Sequence, residues 1–129
     1  MIIALCVLIE QGAKFFFAEN LIFSYNTGAA FSLFSSSPEI ILIFSGISCL
    51  VLISACLFMK LNFGAGIGLS IMTGGALSNF IERFFYGHVT DWIPFPFSFL
   101  EINFNLADVE ISLGALIIVL FFYSAGEKI

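Results

Sequence analysis

The chain has 129 residues, 60% of them hydrophobic and 10% charged, with a mean hydropathy of +1.12. Soluble domains carry roughly 25% charged residues, so this composition points to a bilayer rather than an aqueous core. The net charge is −5 and only four residues are basic, which excludes a phosphate-tracking surface for nucleic acid.

Residues 1–18 are apolar except for Glu10, Gln11 and Lys14. The segment reads as a membrane span rather than a signal peptide, because its first residues carry no positive charge and a Glu and a Lys interrupt the apolar stretch. Glu10 and Lys14 stand four apart, the spacing of a helical ion pair. Residues 19–38 follow as a longer connection, in which Leu21, Phe23 and Tyr25 alternate with the period of two of an extended chain. Residues 40–59 and 61–81 hold no charge, and each is long enough to span, since about 20 residues cross roughly 30 Å as a helix.

The second of these runs is rich in small residues. Gly64 and Gly68 form a G-x-x-x-G, which permits close helix approach, and Gly75, Asn79 and Arg83 fall on one helical face. That face reads either as a groove for a substrate backbone or as polar groups bonded to neighbouring helices. Residues 83–105 form a second long connection. There Phe95, Phe97 and Phe99 alternate with Pro94, Pro96 and Ser98, again an extended pattern, in which proline forbids a regular helix. A last apolar run covers residues 106–125. The expectation is an all-α membrane protein: one integral membrane domain of four transmembrane helices (about 1–18, 39–60, 64–82 and 106–126) with a small extracytoplasmic β element.

Lys60 and Lys128 mark one side of such a bundle, and the positive-inside rule assigns it to the cytoplasm. Lys14 and Arg83 lie toward the other side, with Glu10 and Glu82 as local partners. Both long connections then face outward. Asp91 follows the third run and Asp108 opens the fourth, so antiparallel helices bring the two carboxylates to the same outer rim. Two acids in a low-dielectric site share a proton, and such a pair can activate water while protonating a carbonyl. A structural reading fits the same residues: Asn105 and Asp108 have the spacing of a capping box, and Asp91 could serve in a turn. Glu110, two residues beyond Asp108, is a further acid against an apolar run, and an acid so placed is a candidate functional residue.

His88 is the sole histidine, so no histidine-rich metal site can be built, and it reads as a loop residue; a Ser-His-Asp arrangement lacks the nucleophile-elbow pattern. Cys6, Cys49 and Cys56 show no metal or redox spacing and read as buried small hydrophobes. Neither a cofactor nor a metal is expected.

Five stretches together carry a family resemblance: "EQGAK" (10–14), "NTGAAFS" (26–32), "GGALSNFIER" (74–83), "GHVTDWI" (87–93) and "FNLAD" (104–108). In order and position they resemble bacterial lipoprotein signal peptidase, the type II signal peptidase. The resemblance implies a monomeric four-span aspartic endopeptidase of the bacterial cytoplasmic (inner) membrane, with its active site near the outer face. Its partners would be membrane lipid and diacylglyceryl-modified prolipoproteins, whose signal peptide it removes just before the lipid-bearing cysteine. It implies Asp91 and Asp108 as the catalytic pair, and Lys14, Asn26, Asn79, Arg83 and Asn105 as residues lining the substrate site. The small-residue run would then receive an apolar signal helix. Where the family usually has Asp this chain has Glu10 and Glu82; Ser78 stands for Gly, and Thr90 for a frequent Val. The alternative reading is a non-catalytic transporter or channel subunit of four spans with Glu10 as its ion-coupling acid.

Overall fold

In this computed structural model, residues 1–20, 23–28, 36–94 and 103–126 are described, with side chains through Phe122. Four long helices carry most of the chain: α1 (Ile2–Glu19), α2 (Pro38–Phe58), α3 (Phe63–Tyr86) and α4 (Leu106–Gly126). Local chemistry sets their ends. Pro38 occupies the first turn of α2, where its missing N–H costs nothing, and Glu39 favours the same positive helix end. Asn62 caps α3, its side chain accepting from the Ala65 amide at 2.8 Å. At the other end of α3, Gly87 adopts φ 74°, a left-handed conformation that glycine reaches without a Cβ penalty, and its amide closes on the Arg83 carbonyl.

The burial pattern is inverted relative to a soluble protein. In α1 the buried residues are Glu10 and Lys14, while Leu5, Leu8, Ile9, Phe15 and Phe16 are exposed. In α2 only Ile41 and Cys49 are buried, and Ile43, Phe44, Ile47, Leu50 and Val51 face outward. Polar groups inside and apolar groups outside suit a hydrocarbon solvent. By length and composition α2 and α3 can each cross a membrane, whereas α1 carries three charges, Glu10, Lys14 and Glu19.

The central helix is α3, which packs most extensively on α4 and also on α1 and α2. Its small residues make those contacts possible. A Cβ at Gly68 would stand 2.8 Å from the Gly114 carbonyl oxygen, and one at Gly114 would stand 2.5 Å from that of Gly68, so the two backbones touch. Cys6 of α1 lies over Gly74, and Ala107 and Glu110 of α4 lie over Gly75. Gly64, Gly68, Gly74 and Gly75 are therefore covered by neighbouring helices, which favours the packing alternative for these four over the groove.

Two short antiparallel pairs join the helices. Strand β1 (Ser24–Asn26) pairs with β2 (Val89–Asp91), placing Ser24 opposite Asp91 and Asn26 opposite Val89. Strand β3 (Ile93–Pro94) pairs with β4 (Asn103–Phe104). Pairing thus begins at Val89, earlier than the aromatic strip suggested, and Asp91 ends a fully buried strand instead of making a turn. The strip 95–99, Leu21 and Lys128 lie outside the described residues. Trp92, between β2 and β3, stacks on Phe17 of α1 at 4.1 Å between ring centroids.

The cysteines are all free; Cys49 is buried, whereas Cys6, lying over Gly74, and Cys56, whose Sγ meets Thr73 Oγ1 at 3.4 Å, are half-buried.

Candidate active site

The site is assembled where the chain leaves α3 and enters α4. Asn105 is the N-cap of α4: its Oδ1 accepts from the Asp108 amide at 3.0 Å, and its own amide donates to Asp108 Oδ2 at 3.1 Å. This is a reciprocal capping box, with an acid at the third helical position. The same Asn105 side chain donates from Nδ2 to Asp91 Oδ1 at 2.8 Å. The cap and the carboxylate pair are therefore one device, and the two readings of Asp108 coexist. Asn105 is fully buried and Asp91 is 3% exposed.

The remaining oxygens are held by two more amides. Asn26 Nδ2 donates to Asp91 Oδ2 at 3.1 Å, and Asn79 Nδ2 donates to Asp108 Oδ1 at 3.1 Å. Each of the four carboxylate oxygens thus accepts at least one hydrogen bond. Burial pushes the Asp91 carboxyl up to about 6. The Asn26 and Asn105 amides oppose that shift and the negative charge of Asp108 adds to it.

Behind the pair lies a buried cation. Lys14 donates to Asn79 Oδ1 at 2.8 Å and forms ion pairs with Glu82 at 2.7 Å and Glu10 at 3.3 Å. The expected Glu10–Lys14 pair is present, but it is the longer of the two. Glu82 forms its ion pair with Lys14 and not with Arg83, on which only its charge acts at longer range. Adjacent residues on a helix do not face each other, so Glu82 turns toward α1 while the Arg83 guanidinium donates to the Gly28 carbonyl at 3.1 Å. The seven residues Lys14, Asn26, Asn79, Arg83, Asp91, Asn105 and Asp108 thus gather in one region, linked by these bonds or, for Arg83, lying within electrostatic reach of both aspartates.

Two others stand apart. His88 packs against Tyr25, with ring centroids 4.0 Å apart, and lines a cavity of about 230 Å³ with Lys14, Glu82 and Thr90. Glu110 is 8% exposed and its oxygen Oε2 lacks a partner among the described residues. Two positions along a helix turn a side chain by about 200°, so Glu110 faces away from Asp108. Sequence reasoning missed the roles of Glu82 and Thr90. Thr90 donates to Glu82 from both its amide (3.0 Å) and its hydroxyl (2.7 Å). A signal existed: Glu82 follows Asn79 by three residues, which places the two on neighbouring positions of one helix face.

A family model described as signal peptidase II, Peptidase_A8, matches residues 2–124. The chain belongs to this family. The lipoprotein signal peptidase of Tolumonas auensis is 34% identical over 111 residues, covering 78% of this chain and 66% of that protein. The one from Mesorhizobium japonicum is 39% identical over 103 residues, covering 74% and 59%, and the one from Nostoc punctiforme is 42% identical over 97 residues, covering 74% and 60%. The chain thus spans about two thirds or less of the length of these relatives. A bacterial membrane enzyme solved by the in meso method matches with a TM-score of 0.75 at 26% identity, over 92% of this chain and 88% of that one. A second such enzyme has a TM-score of 0.81 at 24% identity, which speaks for the fold. Family and fold together make this a membrane protein.

Proposed function

We propose that the chain is an intramembrane aspartic endopeptidase that cleaves the signal peptide from diacylglyceryl-modified prolipoproteins, with Asp91 and Asp108 as its catalytic pair. The observation that carries this reading is Asn105, which touches both carboxylates and sits at the start of α4. We assign the proton shared by the pair to Asp91, whose carboxyl burial pushes up to about 6. A water between them loses a proton to Asp108 as its oxygen attacks the scissile carbonyl, while Asp91 protonates the carbonyl oxygen. Collapse of the tetrahedral diol then returns a proton to Asp91 and delivers one to the leaving amide nitrogen. Asn26, Asn79 and Asn105 hold the carboxylates, and Arg83 supplies positive charge near the developing oxyanion. No step calls for a metal or cofactor.

In this reading all four helices cross the bacterial cytoplasmic membrane as one monomeric domain, Lys60 marks the inner side, and the two strand pairs rest at the outer surface. The exposed faces of α1 and α2 contact lipid. Glu10 is fully buried and held by Lys14, which gives an ion-coupling role no open pathway.

The test is reconstitution with a lipidated proprotein. Asp91→Asn and Asp108→Asn should each lower kcat by several powers of ten, because the amide keeps size and hydrogen bonding but cannot carry the proton. Processing at the wild-type rate by either variant would refute the assignment.

A further inference from the structure

The two aspartates come from different elements, a strand and a helix, so something must fix the distance between them. Asp108 is held by its own helix cap. Asp91 ends a three-residue strand whose single strand partner, β1, is equally short. Two three-residue strands are marginal by themselves in water or lipid. The back of β2 supplies what the pairing lacks.

Thr90 lies opposite Tyr25, and its amide points away from β1 to Glu82 Oε2 at 3.0 Å. This is the orientation of the middle residue in a non-hydrogen-bonded antiparallel pair. Its hydroxyl donates to Glu82 Oε1 at 2.7 Å. One residue thus occupies both oxygens of one carboxylate. Successive side chains of a strand point to opposite faces, so the grip on Thr90 leaves Asp91 facing Asn26 and Asn105.

Glu82 is itself held by Lys14, whose ammonium pairs with it at 2.7 Å, donates to Asn79 Oδ1 at 2.8 Å and forms a longer ion pair with Glu10 at 3.3 Å. One arm runs from Lys14 through Glu82 and Thr90 to the strand of Asp91. The other runs from Lys14 through Asn79 to Asp108 Oδ1. Thr90 and Glu82 are 5% exposed and Lys14 is 2% exposed, so these bonds face little competition from water.

We infer that Thr90 and Glu82 are positioning residues: the double bond of Thr90 to Glu82, anchored on Lys14, sets where Asp91 stands relative to Asp108. The inference rests on the peptidase reading of those two acids. Neither residue touches the reacting atoms. Glu82 has the reach for this task because its extra methylene carries the carboxylate from α3 to both Lys14 and the strand, and a shorter acid would release one of them.

Thr90→Val removes the hydroxyl at nearly constant shape. In the full chain, reconstituted with lipidated proprotein, it should lower kcat by roughly tenfold to a hundredfold, the scale of a slightly misplaced reacting group, while KM stays within about twofold. Thr90→Ser should restore kcat to within about threefold, and Glu82→Asp should resemble Thr90→Val. A second readout does not depend on proteolysis: the titration midpoint of the Asp91 carboxyl, followed by carbon-13 NMR. Loosening the strand admits water, so in Thr90→Val the midpoint should fall from about 6 toward the ordinary aspartate value.

An unchanged kcat and midpoint in Thr90→Val would overturn the inference, and so would a raised KM at constant kcat, which would make Thr90 a substrate contact. Should Asp91→Asn remain active, the peptidase reading itself fails, and the midpoint still decides whether Thr90 holds the strand. Should Thr90→Val not fold, Thr90→Ser and Glu82→Gln supply the same two readouts.

Discussion

The two halves of α3 solve opposite problems. From Gly64 to Gly75 the helix meets its neighbours by removing side chains, and backbone touches backbone at Gly68 and Gly114. From Ser78 to Arg83 it meets them through polar groups: Ser78 accepts from Gln11 at 2.8 Å, Asn79 links Lys14 to Asp108, and Glu82 links Lys14 to Thr90. Ser78, Asn79, Glu82 and Lys14 are buried, so little water competes for these bonds. The glycine half therefore holds the helices together with contacts that are individually weak and insensitive to charge. The polar half aims side chains, and the bonds of Asn79 and Glu82 share Lys14 as a common anchor.

The largest separation of the two halves should come from Asn79→Ala. It removes the donor to Asp108 and leaves one Lys14 N–H unpaired. Loss of one such donor in a preorganised site costs about a hundredfold in kcat, and the cleavage assay should show this while the unfolding temperature in detergent moves little. If Asn79→Ala instead unfolds the protein at unchanged turnover per folded molecule, the division between aiming and holding is wrong.

Gly68→Leu should do the reverse. A Cβ there meets backbone oxygen and Ile117, neither of which is the far end of a flexible chain. Overpacking of this kind costs about 1–3 kcal/mol and at times more, so the unfolding temperature should drop clearly, with turnover per folded molecule close to wild type. Gly66 has nothing within 4 Å of its missing Cβ, so Gly66→Ala should leave the same temperature nearly unchanged and serves as the matched control.

The contrast also explains what was legible beforehand. Long apolar runs and small-residue spacing are local properties, and helices stand where the apolar runs lie: α2 covers Pro38–Phe58 and α3 covers Phe63–Tyr86. The cap at Asn105 and Asp108 was legible for the same reason, since its partners are three residues apart. The partner of Glu82 was not. Its nearest cation in sequence is Arg83, and only the packing of α1 against α3 brings Lys14, from far back in the chain, within 2.7 Å. The alternation through Tyr25 pointed to extended chain at β1, but its partner β2 was hidden, because the pair joins residues on either side of two helices. The glycine run was read in two ways because spacing tells that something approaches closely, without telling whether it is a substrate or another helix.

The smallest expected effect tests whether the two halves are independent in pH as well as in packing. Burial pushes the Asp91 carboxyl in the folded protein up to about 6 from its ordinary value of 3.8. For an acid raised on folding, stability is fully present below the unfolded value and is lost as pH rises through the folded one. Wild-type unfolding temperature should therefore decline between about pH 4 and 6 relative to Asp91→Asn, and run parallel to it above. Asp108→Asn should lower the midpoint of that decline, because the negative charge of Asp108 helps to raise it. Gly68→Leu should shift the whole curve downward without changing its shape, since the α3–α4 contact at that level involves backbone and aliphatic groups alone. A change of shape in the glycine variant would mean that the packing half also sets the burial of Asp91, and that holding and aiming are one function distributed along the helix.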